Sequence, residues 1–168
     1  MRKALLGAVT VAALIGIAAC NRGEAPTPSN GASDSASSGS TGIIRERQSH
    51  YKDMGKASKA IADELRADTP SLPTVRENAQ RLADYAPRIL TWFPAGSGPE
   101  AGVRTRAKAE IWSDQEGFGR AAAGFITAAE QFNAIVKSGD VAAIRADRVE
   151  LGKACSNCHD RFRAPERE

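Results

Sequence analysis

Aromatic residues are scarce in this sequence: five Phe, two Trp and two Tyr, 5% of the 168 residues. A large all-β sandwich wants more aromatic and β-branched side chains. Cysteine is scarce too, and three Cys exclude the disulfide scaffold of a small secreted domain. No charge sign dominates. Lys and Arg number 23 against 20 Asp and Glu, and removing Arg2 and Lys3 with the leader described below leaves a net charge close to +1. So small and evenly spread an excess excludes a nucleic-acid binder. No stretch beyond residue 42 alternates with period two, so no strand is expected there.

The chain opens with a short positive start, Met1–Lys3, followed by the uncharged run Ala4–Ala19. At 16 residues, with Gly7, Thr10 and Gly16 inside it, the run is short for a membrane span. It ends in Ile17-Ala18-Ala19-Cys20 and reads as an export signal over residues 1–19 with a small-residue cleavage site. Small residues before a Cys resemble the lipobox of bacterial lipoproteins. That resemblance implies that Cys20 carries diacylglycerol and anchors the protein to a membrane outside the cytoplasm. Asn21 after it resembles an outer-membrane sorting pattern. Ordinary secretion and a retained anchor are the competing accounts.

Residues 21–42 hold Pro26, Pro28, six Ser and four Gly, with no Leu, Ile, Val or aromatic residue. Such a segment has too little apolar surface to fold alone and reads as a flexible tether. A chain of that length reaches roughly 25 Å root-mean-square.

From Ile43 the pattern changes. Ile44, Arg47, Tyr51, Met54, Ser58, Ile61 and Leu65 recur at spacings of three and four, which is one stripe of a helix. A second stripe runs through Val75, Ala79, Leu82, Ala86, Ile89 and Phe93, with Pro87 expected to kink it. Pro94–Pro99 is a break, and the loop continues to about Glu110. Ser113-Asp114-Gln115-Glu116 then reads as a capping box with Ser113 as N-cap. The third stripe is Phe118, Ala122, Phe125, Ala129, Phe132 and Val136, stopped by Ser138-Gly139. Asp140 is expected to cap the fourth, which runs Val141, Ile144, Arg148, Leu151, Cys155, Cys158 and Phe162. Four amphipathic helices with short connections predict an all-α fold, an antiparallel four-helix bundle over residues 43–168.

The chemistry lies near the C-terminus. Cys155-Ser156-Asn157-Cys158-His159 is C-x-x-C-H, the attachment sequence for c-type haem. On a helix, positions i, i+3 and i+4 share one face. Two thiols can then add to the two vinyl groups of one porphyrin while the adjacent imidazole reaches the iron. A zinc site would need a fourth ligand, for which only His50 and Cys20 remain. A thioredoxin-type dithiol would need a βαβ context and a helix N-terminus. A Cys-x-x-Cys disulfide inside a helix is strained. Covalent haem c, one per chain, is the expected cofactor.

The motif in the last helix of a four-helix bundle resembles cytochrome c′, the class II c-type cytochromes. Arg47-Gln48, Ile111-Trp112-Ser113-Asp114 and Cys155-x-x-Cys158-His159-Asp160-x-Phe162-Arg163 carry the resemblance, which covers about residues 43–165. The resemblance implies that Cys155 and Cys158 form the thioethers and that His159 is the axial iron ligand. It gives Arg47 and Gln48, with Thr105 beside them, to the haem propionates. Tyr51, four residues after Arg47, would face the vacant sixth position, where low-spin relatives carry Met. Met54 is the rival sixth ligand. His50, about 100° around the helix from Tyr51, is expected to face solvent. Arg163 would stand beside the axial imidazole and tune its basicity.

Two functions follow. The first is electron transfer between ferric and ferrous states with a five-coordinate, high-spin haem, on the periplasmic side of a membrane. The alternative is binding or sequestration of small gases, above all nitric oxide, at the open site. No substrate chemistry is encoded, so an enzyme is not expected. The resemblance also implies a homodimer through the first two helices, which carbon monoxide would weaken by displacing Tyr51.

Overall fold

A computed structural model describes residues 31–166, with side chains from residue 39 onward. The expected signal over residues 1–19, the lipidated Cys20 and the first part of the tether lie outside the described residues. The described chain is helical: α1 (Gly31–Arg66), α2 (Leu72–Tyr85), a 3-10 segment (Ala86–Trp92), α3 (Glu110–Ser113), α4 (Gln115–Ser138) and α5 (Val141–Phe162). Helix α1 begins at Gly31, well before the Ile43 boundary expected from composition. Among the described residues no helix is long and apolar enough to cross a membrane.

Local chemistry sets the element ends. Ser71 accepts a bond from Thr74 N at the start of α2, with Pro73 in the first turn. Pro87 ends the α geometry at Tyr85, and the chain tightens into the 3-10 segment rather than merely bending. Gly139 closes α4 at φ 77°, a left-handed value that favours glycine. Asp140 then caps α5 through Ala142 N and Ala143 N at 2.9 and 3.1 Å. The expected cap at Ser113 is one residue off. Ser113 is the last residue of the one-turn α3, and Asp114 accepts from Gly117 N at 3.0 Å to cap α4. Glu116 pairs with Arg120 instead of reaching back.

Cross-helix bonds fix the register. Arg145 Nε donates to Leu65 O at 2.9 Å, and Arg148 Nη2 to Ser58 Oγ at 3.0 Å. The start of α5 therefore lies beside the end of α1, and the two run antiparallel. Gln131 to Asp147 ties α4 to α5 at 2.7 Å, and Asn133 to Gln80 ties α4 to α2 at 2.9 Å. The result is a four-helix bundle of α1, α2, α4 and α5. Its core holds Ile61, Val75, Phe132, Ile144 and Leu151, all essentially inaccessible to water. Every member of the α4 stripe, Phe118 through Val136, is buried.

The loop after the 3-10 segment contains a further 3-10 turn, Pro99–Ala101, and then crosses the C-terminal end of α5. Lys108 N donates to Phe162 O at 3.1 Å and Ala164 N to Arg106 O at 2.8 Å, so residues 106–108 form a strap over the end of the helix. Lys108 Nζ also bonds the Asp160 and Arg161 carbonyls, satisfying acceptors that a helix terminus leaves open.

Candidate haem site

A cavity of about 490 Å³ opens between α1 and α5, within the range of sites that enclose small molecules and cofactors. One wall is the inward stripe of α1, with Arg47, Gln48, Tyr51 and Met54. The facing wall is the last two turns of α5, with Cys155, Cys158 and His159. Thr105, just before the strap, adds to the lining with Arg106 and Ala107 of the strap, and Arg163 closes the end. Every site residue expected from the sequence, apart from the lipidation site, thus meets in one place.

Helical spacing turns Cys155, Cys158 and His159 to the same side of α5. The two thiols are free rather than joined, and burial pushes both up from the usual thiol range. His159 is held below its usual range, first by burial and then by the Arg163 charge. That keeps the imidazole neutral near pH 7, the state in which it ligates iron. Among the described residues no group of three His, Cys, Asp or Glu side chains is placed to hold a metal ion. The fit is to a large apolar group with two thiol attachment points and one nitrogen ligand. Phe93, Phe118 and Phe125 supply apolar lining of the kind a porphyrin face requires.

Arg47 is buried, as its place on the stripe demands, and the loop supplies its hydrogen-bond acceptors. Nη1 donates to Trp92 O and Ser97 Oγ, both at 3.1 Å, and Nη2 donates to Ser97 O at 2.9 Å and Thr105 Oγ1 at 3.3 Å. Its guanidinium also stacks 4.6 Å from the Phe93 ring centre. Gln48 likewise donates to Arg104 O at 2.8 Å. Thr105 is tied to Ala107 N at 3.1 Å as well as to Arg47.

Tyr51 lies in an aromatic cluster, edge-on to Trp92 at 5.4 Å and tilted against Phe93 at 6.3 Å. Burial pushes its phenol well above the usual range, and the Cys158 thiol adds to the effect. His50 does not face solvent as expected. Its side chain is only 16% exposed, it lies 4.7 Å from the Trp92 ring and it is 3.4 Å from Glu46. Trp92, at the end of the 3-10 segment, covers it.

Sequence periodicity missed Trp92 and Ser97, which act through the loop rather than a helix face. Ser97 is wholly buried, accepts from Arg47 and donates to Pro94 O at 2.7 Å.

Known proteins share this arrangement. A family model described as Cytochrome C′ matches residues 42–163. Cytochrome c′ of Rubrivivax gelatinosus is 40% identical over 121 residues, covering 71% of this chain and 92% of the relative. Its crystal structure superposes with a TM-score of 0.67 at 32% identity, covering 74% of this chain and 96% of that one. A second solved cytochrome c′, described by an unusual ligand-controlled dimer dissociation, gives a TM-score of 0.70 at 26% identity over 75% of this chain and 97% of that one. With the paired thiols, the imidazole and the cavity between the first and last helices, these matches show that the chain belongs to the cytochrome c′ family and is a c-type haem protein.

Proposed function

We propose that this protein is a one-electron carrier with a five-coordinate haem, exported and held at an outer-membrane surface through Cys20. Bound in the cavity, haem c supplies a ferric/ferrous couple. The observation that carries the reading is the exposure of the attachment segment. Ser156 and Asn157 are exposed, and Cys155, Cys158 and His159 are half-buried. The chain thus leaves an edge of the site near solvent, where a partner can approach, while the aromatic cluster seals the interior.

Five-coordination is supported by the α1 wall. Tyr51 is held as a neutral phenol, a poor iron ligand, and Met54 is packed into the core cluster. A second reading, binding of a small diatomic gas, is favoured by the same wall: Tyr51 and Met54 border a space lined largely by apolar side chains. An absorption spectrum of the matured protein tests both. A high-spin spectrum in both oxidation states, shifted by nitric oxide, is expected. A low-spin spectrum unmoved by the gas would assign a sixth protein ligand and leave electron transfer alone.

The related protein with ligand-controlled dimer dissociation supports a homodimer through α1 and α2. Sedimentation is expected to give a dimer without ligand and a larger monomer fraction under carbon monoxide. A monomer under both conditions would refute it.

A further inference from the structure

The inward stripe of α5 carries one charge that the site described above does not use. Arg148 is two turns before Cys155 and lines the cavity wall. Its Nη2 donates to Ser58 Oγ at 3.0 Å, but its Nε is buried without a hydrogen-bond partner. Its Nη1 lies 3.2 Å from where a Cβ on residue 152 would stand, so Gly152 gives the guanidinium room against the helix. No carboxylate among the described residues pairs with it. Asp147, its neighbour, is turned to Gln131 on α4. Asp63 on α1 is taken by Lys59 and Arg66. The charge reaches the attachment segment, since it draws the Cys155 thiol down against the effect of burial.

A cation on a poorly hydrated wall, with no anion beside it, acts through a low effective dielectric. Reduction adds one electron and removes one unit of positive charge from the site. A fixed positive charge nearby therefore opposes the oxidised state more than the reduced one. We propose that Arg148 sets the reduction potential of the site: its uncompensated guanidinium favours the ferrous over the ferric state. Arg148 is a positioning residue for charge, and the inference rests on the one-electron reading above.

The test is a reversible redox titration of the matured protein, monitored by absorbance. Arg148→Gln is expected to lower the ferrous-to-ferric ratio at fixed applied potential about tenfold, a downward shift of about 59 mV for one electron. Arg148→Lys is expected to restore most of the shift. Ser58→Asp provides a second route, because it places a carboxylate against an intact guanidinium and should lower the ratio in the same direction. Arg81→Gln, which removes an exposed charge paired with Glu77 on α2, should leave it within about twofold. An unchanged ratio in both Arg148→Gln and Ser58→Asp, or a rise in either, overturns the proposal. A parent protein that fails to cycle reversibly would instead overturn the electron-carrier reading.

Discussion

Replacing Arg47 with alanine is expected to lower the unfolding free energy of the haem-loaded protein by about 3 kcal/mol. Four hydrogen bonds from one guanidinium are lost together, and bonds from a charged donor contribute about 1.5–3 kcal/mol each. The stacking on Phe93 adds to the loss. The contributions do not sum, because removing the side chain also removes the cost of burying a charge. What remains is dominated by the acceptors left behind. Ser97 is wholly buried and loses both bonds that Arg47 makes to it, while Trp92 O loses its partner. For a domain of this size the melting temperature should fall by roughly 10 °C, read by circular dichroism at 222 nm. Arg47→Lys should recover less than half of the loss, because a single ammonium cannot serve acceptors spread from Trp92 to Thr105. A change under 1 kcal/mol for Arg47→Ala would mean that the loop is held by other contacts.

The second large effect is expected at Tyr51. Its ring forms part of the wall facing Cys158 and His159, and on the reading proposed above a ligand would displace it to reach the iron. Tyr51→Ala is expected to raise carbon monoxide affinity at least tenfold, because the closed arrangement then no longer reduces the fraction of binding-competent protein. Tyr51→Phe separates blocking from hydrogen bonding. Carbon monoxide is a weak acceptor, so loss of the hydroxyl should leave its affinity within about threefold. Equilibrium titration of the ferrous protein reads both. An unchanged affinity in Tyr51→Ala would show that the ring is not in the ligand's path.

Much of this was legible in the sequence because helices write their buried face into a repeat. Phe118, Ala122, Phe125, Ala129, Phe132 and Val136 recur at three and four, and all six are buried. The C-x-x-C-H spacing was equally direct, since i, i+3 and i+4 share a face wherever the helix lies. What escaped notice depends on contacts between distant segments. The partners of Arg47 lie on a loop 45–58 residues away, and nothing in its own neighbourhood names them. Ser97 sits in a break, where burial has no period. Ser113 and Asp114 are both good caps, and the choice between them falls to the extra turn of α3. His50 was assigned by rotation from Tyr51. That argument fixes direction around a helix, but it does not show that Trp92 lies in that direction.

The strap over the end of α5 has a consequence for the order in which this molecule is made. A ribosome builds the chain from the N-terminus, so α1, α2 and α4 exist before the segment that carries Cys155, Cys158 and His159. Once Lys108 N and Ala164 N have bonded across, the end of α5 is fastened to the strap by two backbone bonds. Residues 106–108 are thus made before the helix end they fasten, and the strap closes only when residues 162–164 arrive, as a latch closes on a vessel.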